Sequence, residues 1–191
     1  MADGVIPIKE KAFPSIIKKK LEDYCDEVIK SNASINLIGK NTEDAIWNRH
    51  IIDSAQVVDI IPNEFNSFLD IGSGAGFPGI VVKLINNGLD ATLIESNKKK
   101  ARFLKDTTEK IGIDVNIFNK RFEDIETANN QETVILSRAV SNLSDLLKMG
   151  LKYFELGSIG IFHKGITWEN EVVEAKKRWN FHLTTYESLT N

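Results

Sequence analysis

The chain contains 191 residues, of which 42% are hydrophobic and 27% are charged, and its formal net charge is −3 at pH 7. This length allows one well-buried core and is too short for two full α/β domains. The composition is that of an ordinary globular protein, and with so small a net charge any basic surface must be local.

The N-terminal stretch Met1 to Pro14 mixes charged and apolar residues and lacks the apolar core of a signal peptide. No later stretch is apolar enough to span a bilayer, so we expect a soluble, cytoplasmic protein. The single cysteine, Cys25, excludes an internal disulfide and has no neighbouring His or Cys to complete a zinc site. We interpret it as a small apolar helix residue, and we expect no metal.

Two helices are predicted in the first third of the chain. Apolar residues recur at helical spacing from Ser15 to Lys30. A second helix is expected from about Glu43 to Ile60, after a capping Thr42. Within it Arg49 and Asp53 lie four residues apart and can form an ion pair.

The pattern of the chain changes after Pro62 and Asn63, which end the helical pair. We therefore expect an N-terminal helical appendage over residues 1–62 and a Rossmann-like domain over residues 63–191, together forming one compact unit. In the second part strand-like and helix-like runs alternate, which is typical of α/β folds with a doubly wound, mostly parallel sheet. The predicted strands are Ser67–Ile71, Ala91–Glu95, Val115–Phe118, Thr133–Leu136, Ser158–Phe162 and, as a sixth candidate, Phe181–Tyr186. The predicted helices are Pro78–Asn86, Lys98–Ile111, Leu143–Phe154 and Glu169–Trp179.

A glycine-rich turn follows the first of these strands. From Phe68 to Val82 the sequence reads FLDIGSGAGFPGIVV: an apolar run, an acid, alternating glycines and renewed apolar periodicity. Glycines allow positive φ in a sharp turn and let a ligand approach without a Cβ in the way. The helix that follows presents free N–H groups and the positive end of its dipole. The stretch therefore indicates a nucleotide-cofactor site.

Residues that follow the other strands are further candidates, because ligands of open α/β sheets bind at the carboxyl ends of the strands. Glu95 ends the second strand, about 20 residues beyond the turn, where a carboxylate accepts hydrogen bonds from ribose hydroxyls. Phe122 and Glu123 follow the third strand and could flank an adenine ring. Arg138 follows the fourth and would project into the mouth of the site. Each of these residues also has an explanation without a ligand. Glu95 could be an acid at a helix N-terminus, Phe122 and Glu123 could lie in a solvated loop, and Arg138 could form a structural ion pair.

Two cofactor classes are compatible with the turn. Gly74 to Gly79 satisfies the GxGxxG spacing of dinucleotide-binding proteins, which leaves a nicotinamide- or flavin-dependent oxidoreductase open. However, the glycines begin earlier, at Gly72, and Pro78 interrupts the helix start on which a pyrophosphate would lie. Asp70 also stands where a carboxylate could receive the ammonium of an amino-acid cofactor, directly or through water. These features favour S-adenosylmethionine.

Several short motifs, taken in order, resemble one bacterial family. They are Asn36-Leu37, Arg49 to Ser54 (RHIIDS), Leu69 to Ile80, Lys100 to Leu104 (KARFL), Ser137-Arg138-Ala139 and Lys164-Gly165. Each motif is weak alone, but together they cover the chain from about Leu21 to Trp179. In this order, and with the segment GSGAGFPGI, the chain resembles the bacterial ribosomal small-subunit methyltransferase G family, also called glucose-inhibited division protein B.

The resemblance implies a class I S-adenosylmethionine-dependent methyltransferase that methylates guanine N7 in 16S ribosomal RNA near the decoding site. The partner would be 16S ribosomal RNA or the small ribosomal subunit, and we expect the enzyme to be a monomer. The resemblance implies cofactor contacts at Gly72, Phe77, Phe122, Glu123 and Arg138, with Glu95 at the ribose, and the turn itself adds Asp70, Gly74 and Gly76. The resemblance also implies that Asn36, Arg49, His50, Asp53 and Lys164 hold or orient the RNA. We expect Asn36, His50, Asp53 and Arg138 to orient the reacting substrate. No general base is required, since guanine N7 carries a lone pair and no proton, so alignment of the reacting atoms suffices.

RNA binding requires local basic surface, since phosphate contacts provide most sequence-independent affinity. The predicted RNA-binding residues are Lys98, Lys99, Lys100, Arg102, Lys105 and Arg121, with Arg49 and Lys164 added by the resemblance. The cluster from Lys98 to Lys105 begins a helix, where cations oppose the helix dipole and so call for another explanation. For Lys18 to Lys20, RNA binding and a solvated helix face without a ligand are equally good explanations.

Two departures from the family pattern stand out. Glu95 takes the place of an aspartate expected in some members, and it should still bind ribose. After the sixth candidate strand we expect no room for the final antiparallel strand typical of class I methyltransferases. The alternative functions are a small-molecule methyltransferase, an oxidoreductase, and a non-catalytic RNA- or ribosome-binding protein that keeps only the fold.

Overall fold

A computed structural model of the protein describes residues 6–7, 12–125 and 132–190. Its strands are β1 (Ile6–Pro7), β2 (Ser67–Ile71), β3 (Asp90–Ile94), β4 (Asn116–Phe118), β5 (Val134–Arg138), β6 (Ile159–His163) and β7 (Tyr186–Glu187). Its α-helices are α1 (Ser15–Ile35), α2 (Asp53–Ala55), α3 (Val57–Ile60), α4 (Gly79–Ile85), α5 (Lys98–Ile111), α6 (Leu143–Phe154) and α7 (Trp168–Lys176). Of the predicted N-terminal stretch, residues 1–5 and 8–11 lie outside the described ranges.

Five strands form one parallel sheet with the order β4-β3-β2-β5-β6. In this order β2 is flanked by β3 on one side and β5 on the other, and Ile71 pairs with both Ile94 and Ser137. The succession of strands therefore reverses beside β2, which is where α/β sheets bind ligands. The predicted mostly parallel α/β sheet is confirmed, with strand bounds within two residues of those expected.

The sixth predicted strand, Phe181 to Tyr186, is observed only as β7. It pairs in parallel with β1, through Ile6 with Tyr186 and Pro7 with Glu187, and not with the five-stranded sheet. The sheet ends at β6 in the described part of the chain. Residues 181–185 are irregular and pair with no strand in the described ranges of the chain.

Helix α1 packs against α4 and α5. Its inward side chains Leu21, Tyr24 and Val28 are fully buried in the same hydrophobic core as Phe68 of β2. Cys25 belongs to this buried face, as expected, and burial raises the pKa of its thiol to about 12. The boundary drawn near residue 62 stays a prediction, since the helical part and the sheet share one core.

Helix α1 is five residues longer than predicted, since it continues from Lys30 to Ile35. It is followed by Asn36, whose φ of 54° is left-handed and whose backbone N–H donates to Asn32 O at 3.1 Å. The buried Asn32 side chain in turn accepts hydrogen bonds from Leu37 N at 2.6 Å and Ile38 N at 2.9 Å. Asn32 thereby caps the end of the helix and stabilises its extra turn.

The predicted second helix, Glu43 to Ile60, is interrupted. A 3₁₀ turn covers Lys40–Thr42, and a π-helical stretch covers Trp47–Ile52 before the short α2 and α3. A π-helical turn contains an extra residue and therefore rotates the following side chains, and such turns frequently occur at functional sites. None of the described helices is long and apolar enough to cross a membrane.

Candidate cofactor and RNA site

The loop between β2 and α4 is anchored to β3 and shaped by glycines. Gly72 N and Ser73 N both donate to Ile94 O, at 2.8 and 3.1 Å. Gly72 has a φ of 64°, and a Cβ there would lie 2.6 Å from Val140 Cγ2. Gly76 has a φ of 103°, and its Cβ would lie 2.5 Å from Ile80 Cδ1. The loop therefore requires glycine at both positions, for backbone conformation and for space.

Asp70, near the end of β2, supports this loop from the protein core. It is fully buried, and its Oδ2 accepts a hydrogen bond from Gly79 N at 3.1 Å, at the start of α4. Its other oxygen, Oδ1, is buried without a hydrogen-bond partner in the described residues. Burial raises the pKa of this carboxyl group to about 7. Through the bond from Gly79 N, Asp70 fixes the glycine loop to the start of α4.

Glu95 links the glycine loop to the start of α5. One carboxylate oxygen accepts from Gly74 N at 2.9 Å and the other from Asn97 N at 2.7 Å. Each oxygen retains a further lone pair, so the carboxylate can also accept hydrogen bonds from two ribose hydroxyls. Glu95 directly follows β3, at the carboxyl edge of the sheet, and its side chain is buried, with 7% of its surface exposed.

Phe77, His50 and Arg138 form a layered cluster beside the loop. The His50 ring stacks on Phe77 with centroids 5.0 Å apart, and the Arg138 guanidinium lies 5.5 Å from the centroid of the same ring. Phe77 also contacts Tyr24 of α1, whose hydroxyl donates to Ala75 O at 2.7 Å. The N-terminal helices thus hold both the loop and the arginine that follows β5.

The tautomer of His50 follows from its partners. Arg138 has only donors, so His50 Nδ1 must accept from its Nη2. His50 Nε2 then carries the proton and donates to Thr42 Oγ1 at 2.9 Å, and this hydroxyl donates to Gly39 O at 2.7 Å. Burial, together with the charge of Arg138, lowers the pKa of His50 to about 4. His50 is therefore neutral at pH 7 and acts as an acceptor for Arg138.

Asp53 connects the cluster to three other parts of the chain. Its Oδ2 accepts from Arg138 Nη1 at 3.1 Å, and both side chains of this pair are 18% exposed. Its backbone oxygen accepts from His163 Nε2 at 3.0 Å. Its Oδ1 accepts from Gln56 Nε2 at 3.3 Å and from the hydroxyls of Ser188 and Thr190 at 3.4 Å. The arginine is thus held from the second helical segment, from β6 and from the residues after β7.

Other predicted site residues lie outside this cluster. Phe122 is buried and stacks on Tyr153 with centroids 5.4 Å apart, while Glu123 beside it is exposed. Asn36 is exposed at the end of α1, and Arg49 contributes its backbone oxygen to Arg138 at 3.3 Å while its side chain is exposed. The structure therefore brings together His50, Asp53, Phe77 and Arg138 beside the loop and Glu95, and leaves Asn36 apart from them.

The predicted RNA-binding residues fall into two groups. In the described residues Lys98, Lys99, Lys100, Lys105 and Arg121 have no acidic partner within ion-pair distance. Arg102 pairs with Asp106 at 2.7 Å on the exposed face of α5. Lys164 is engaged within the protein, with Glu171 Oε2 at 2.6 Å and Ser141 O at 2.8 Å. Its ammonium therefore ties the loops after β5 and β6 together.

Comparison with known proteins assigns the family. A family model described as rRNA small subunit methyltransferase G matches residues 17–191. The chain belongs to this family. A relative named Ribosomal RNA small subunit methyltransferase G, from Ruegeria sp. (strain TM1040), is 37% identical over 176 residues, which are 90% of this chain and 84% of that protein. A protein of the same name from Rickettsia prowazekii (strain Madrid E) is also 37% identical, over 92% of this chain and 90% of its own length.

A solved structure supports the fold independently. A Corynebacterium glutamicum protein aligns with a TM-score of 0.51 over 87% of this chain and 80% of its own, at 14% sequence identity. With the family assignment, the predicted class I methyltransferase fold, the methyltransferase activity and S-adenosylmethionine as methyl donor are confirmed. The oxidoreductase suggested by the GxGxxG spacing is thereby set aside.

Several residues that hold the cluster are not among the predicted site residues. His163 directly follows the predicted strand Ser158–Phe162, so the rule that selects Arg138 after the preceding strand applies to His163 as well. Gln56 and Ser188 carry no local signal, because they meet across more than 130 residues of sequence. Thr42 is predicted as a helix cap, whereas its hydroxyl bonds His50 and Gly39. Tyr24 appears in the sequence only as one apolar position of a helix.

Proposed function

We propose that this member of the rRNA small subunit methyltransferase G family transfers a methyl group to N7 of one guanine in 16S ribosomal RNA near the decoding site. The observation that carries the proposal is the site geometry: a class I cofactor loop whose neighbouring arginine is held by the N-terminal helical segment. Such an arrangement couples the cofactor site to a surface outside the Rossmann-like domain. We further propose that the enzyme acts as a cytoplasmic monomer, with residues 1–62 contributing to the RNA-facing surface.

The residues beside the loop fit S-adenosylmethionine. Glu95 has free lone pairs for the ribose hydroxyls, and Gly72, Gly74 and Gly76 leave the backbone open to close approach. For the adenine ring we propose Glu123 as an exposed acceptor, with Phe122, which is buried against Tyr153, supporting this position from the core. We propose Phe77 and Arg138 as contacts of the amino-acid portion, since a guanidinium can pair with a carboxylate. When bound, S-adenosylmethionine supplies an electrophilic methyl group on a sulfonium.

The chemistry requires alignment and not proton transfer. Guanine N7 attacks with a lone pair, and the positive charge moves from the sulfonium to the guanine, so no side chain needs to remove a proton. This agrees with the state of His50, which is neutral and donates its only N–H to Thr42. We propose that Asn36, His50 and Asp53 help to orient the substrate, the latter two through Arg138. Catalysis would come from positioning and from exclusion of water around the reacting charge.

The RNA-binding surface is proposed along the same edge of the sheet. Helix α5 starts directly after β3, so Lys98, Lys99 and Lys100 lie close in sequence to Glu95, which itself accepts from Asn97 N. These lysines and Lys105 are free to contact phosphates, and Arg49, Arg102 and Arg121 are exposed. For Lys164 we propose a structural role, because its ammonium is already engaged by Glu171 and Ser141. This basic cluster favours an RNA substrate over a small molecule.

The test is mass spectrometry of 16S ribosomal RNA from cells with and without the gene. We expect one 7-methylguanosine to disappear in the deletion strain. Purified enzyme with S-adenosylmethionine should then restore it in small subunits from that strain, and the Arg138→Ala variant should restore less at equal concentration. Persistence of every 7-methylguanosine in the deletion strain would overturn the substrate assignment and leave the fold and cofactor unaffected.

A further inference from the structure

One isoleucine at the carboxyl edge of the sheet serves no packing role. Ile166, in the loop between β6 and α7, is 100% exposed, whereas the other large exposed apolar side chains are between 37% and 69% exposed. The preceding Gly165 has open space around it, with nothing within 4 Å of where a Cβ would lie. Single exposed apolar residues are common on proteins, so the position of this one decides its meaning.

The loop that presents Ile166 is tied down at both ends. On one side, Lys164 Nζ donates to Ser141 O at 2.8 Å and pairs with Glu171. On the other, Trp168 N donates to Gly165 O at 3.0 Å, closing a turn around the isoleucine. Glu171 also accepts from Leu143 N at 2.8 Å, at the start of α6. The backbone of the loop is therefore held while its one apolar side chain points away from the protein.

The tie to Ser141 joins this loop to the one that follows β5. That neighbouring loop begins with Ala139, whose φ of 56° is unusual for a residue other than glycine. Its Val140 is 38% exposed and covers Gly72 of the cofactor loop. Ile166 thus belongs to the rim of the same edge that holds the glycine loop and Arg138.

The proposed reaction explains why such a rim should be apolar. In an A-form helix the guanine N7 edge lies in a deep, narrow major groove that side chains cannot reach. Enzymes that modify a base therefore act on unpaired nucleotides or extrude the target from its stack, and the lost stacking must be replaced by contacts with the protein. Proteins that open base steps frequently insert apolar side chains for this purpose.

We propose that Ile166 is an RNA-contacting residue that packs against an unstacked base of the substrate, either the target guanine or its direct neighbour. This inference rests on the proposed function and adds to it the apolar contact that the basic cluster cannot supply. Lysines neutralise phosphates without regard to base stacking. Ile166 would act where the base leaves its stack.

The first test compares Ile166→Ala with Leu156→Ala on small subunits from cells that lack the gene. Leu156 is also an exposed aliphatic residue, 37% exposed, but it lies before β6 at the opposite, amino edge of the sheet. We expect Ile166→Ala to lower kcat/KM for the subunit at least tenfold, with unchanged affinity for S-adenosylmethionine and unchanged Tm, and Ile166→Leu to restore it. Leu156→Ala should match the wild-type kcat/KM. Equal activity of Ile166→Ala and the wild type would overturn the inference alone, whereas an inactive wild type would overturn the proposed function as well.

The second test identifies the contact directly. A photoreactive benzoylphenylalanine at position 166 should crosslink to 16S ribosomal RNA, giving an adduct that nuclease releases. An adduct with a ribosomal protein, or no adduct from an enzyme that still methylates the subunit, would contradict the proposed base contact. The same probe at position 156, at the amino edge of the sheet, is the control and should give no RNA adduct.

Discussion

Asp53 and Arg138 form an ion pair that is mostly shielded from water. Replacing Asp53 by asparagine would keep the shape of the side chain and remove its negative charge. We expect Asp53→Asn to destabilise the protein by about 1–3 kcal/mol, below the ~3–5 kcal/mol typical of breaking a fully buried pair, because both side chains retain 18% exposure. Methylation of the small subunit should fall with it, since Arg138 loses its anionic partner. Urea unfolding and initial rates measure the two effects.

The matched control for that substitution is Asp106→Asn. It removes the partner of Arg102, in a pair whose side chains are 75% and 53% exposed. Exposed pairs contribute little to stability, so the unfolding midpoint should stay near that of the wild type. Equal midpoints for the two variants would show that Asp53 is not the anchor described above.

His50 should make stability depend on pH in a defined window. Its pKa is lowered to about 4 in the folded protein, mainly by burial, against 6.5 as the ordinary value. The stabilising neutral form is fully present above pH 6.5, and its contribution is lost as the pH falls toward 4 because the unfolded chain binds the proton first. Between pH 7.5 and pH 5 the wild type should lose about 2 kcal/mol that His50→Gln does not lose.

Urea unfolding of both proteins at these two pH values tests this. Asp70 titrates in the opposite direction, since its raised pKa makes stability decrease as pH rises from about 4 to 7, but it is present in both proteins and cancels in their difference. A constant difference between wild type and His50→Gln across the range would refute the assignment.

At the level of elements, two helices carry similar lysine triplets but differ in their surroundings. On α1, Lys18 lies near Glu22 at 3.9 Å, Lys19 pairs with Asp23, and Lys20 donates to Gly112 O at 3.1 Å. The triplet Lys98 to Lys100 has no acidic partner in the described residues and begins α5, where Asn97 caps the helix by accepting from Lys99 N and Lys100 N. Cations at a helix N-terminus interact unfavourably with the helix dipole. Binding of an external anion, such as an RNA phosphate, would offset this cost.

Replacing Lys98, Lys99 and Lys100 together by alanine should therefore weaken RNA binding without weakening the fold. We expect the slope of log affinity against log salt to become shallower by about 2–3, since each lost phosphate contact removes roughly 0.7–0.9. The unfolding midpoint should stay equal or rise, because a helix start is relieved of positive charge. The alanine triple of Lys18, Lys19 and Lys20 is the matched control, and an equal change in slope for both triples would contradict a specific role for α5.

The elements also show which parts of the fold the sequence predicts. Strand β2, the glycine loop and α5 follow from apolar periodicity and capping residues that lie next to one another in the chain. The π-helical stretch Trp47–Ile52 cannot be predicted in this way. The π-helix and the α-helix differ by less than one residue per turn, and six residues are too few for apolar periodicity to distinguish them. The conformation of this stretch depends on His50 meeting Arg138, about 90 residues away, through contacts that only the tertiary structure supplies.

At the scale of the whole molecule, part of the site can be predicted from residues that are neighbours in the chain, and part depends on contacts between distant segments. The cofactor side is predictable, since Glu95 and the glycines stand at strand ends and the parallel sheet brings strand ends together. The network around Asp53 joins the second helical segment, β6 and the residues after β7, and its hydroxyl and amide members are chemically too common to single out from sequence. Family resemblance indicated Asp53 and Arg138 without indicating that they pair.

Because the cofactor loop is built into the core, binding of S-adenosylmethionine should stabilise the entire chain. A ligand that binds only the folded state at about 100 times its Kd adds about 2.7 kcal/mol, which for a chain of this size raises Tm by about 5–11 °C. NAD at the same concentration should give no shift, because the loop and Glu95 serve a different cofactor. A larger shift with NAD than with S-adenosylmethionine would refute the cofactor assignment for this chain.

Two glycine variants show whether the shift comes from the loop. Gly72→Ala adds a Cβ 2.6 Å from Val140 Cγ2 at a φ of 64°, so its loop must distort. Gly165→Ala adds one where nothing lies within 4 Å, outside the loop. Comparing each variant with and without S-adenosylmethionine removes its intrinsic change in stability. The ligand-dependent rise in Tm should be lost in Gly72→Ala and kept in Gly165→Ala, and its retention in both would mean that the methyl donor binds elsewhere on the molecule.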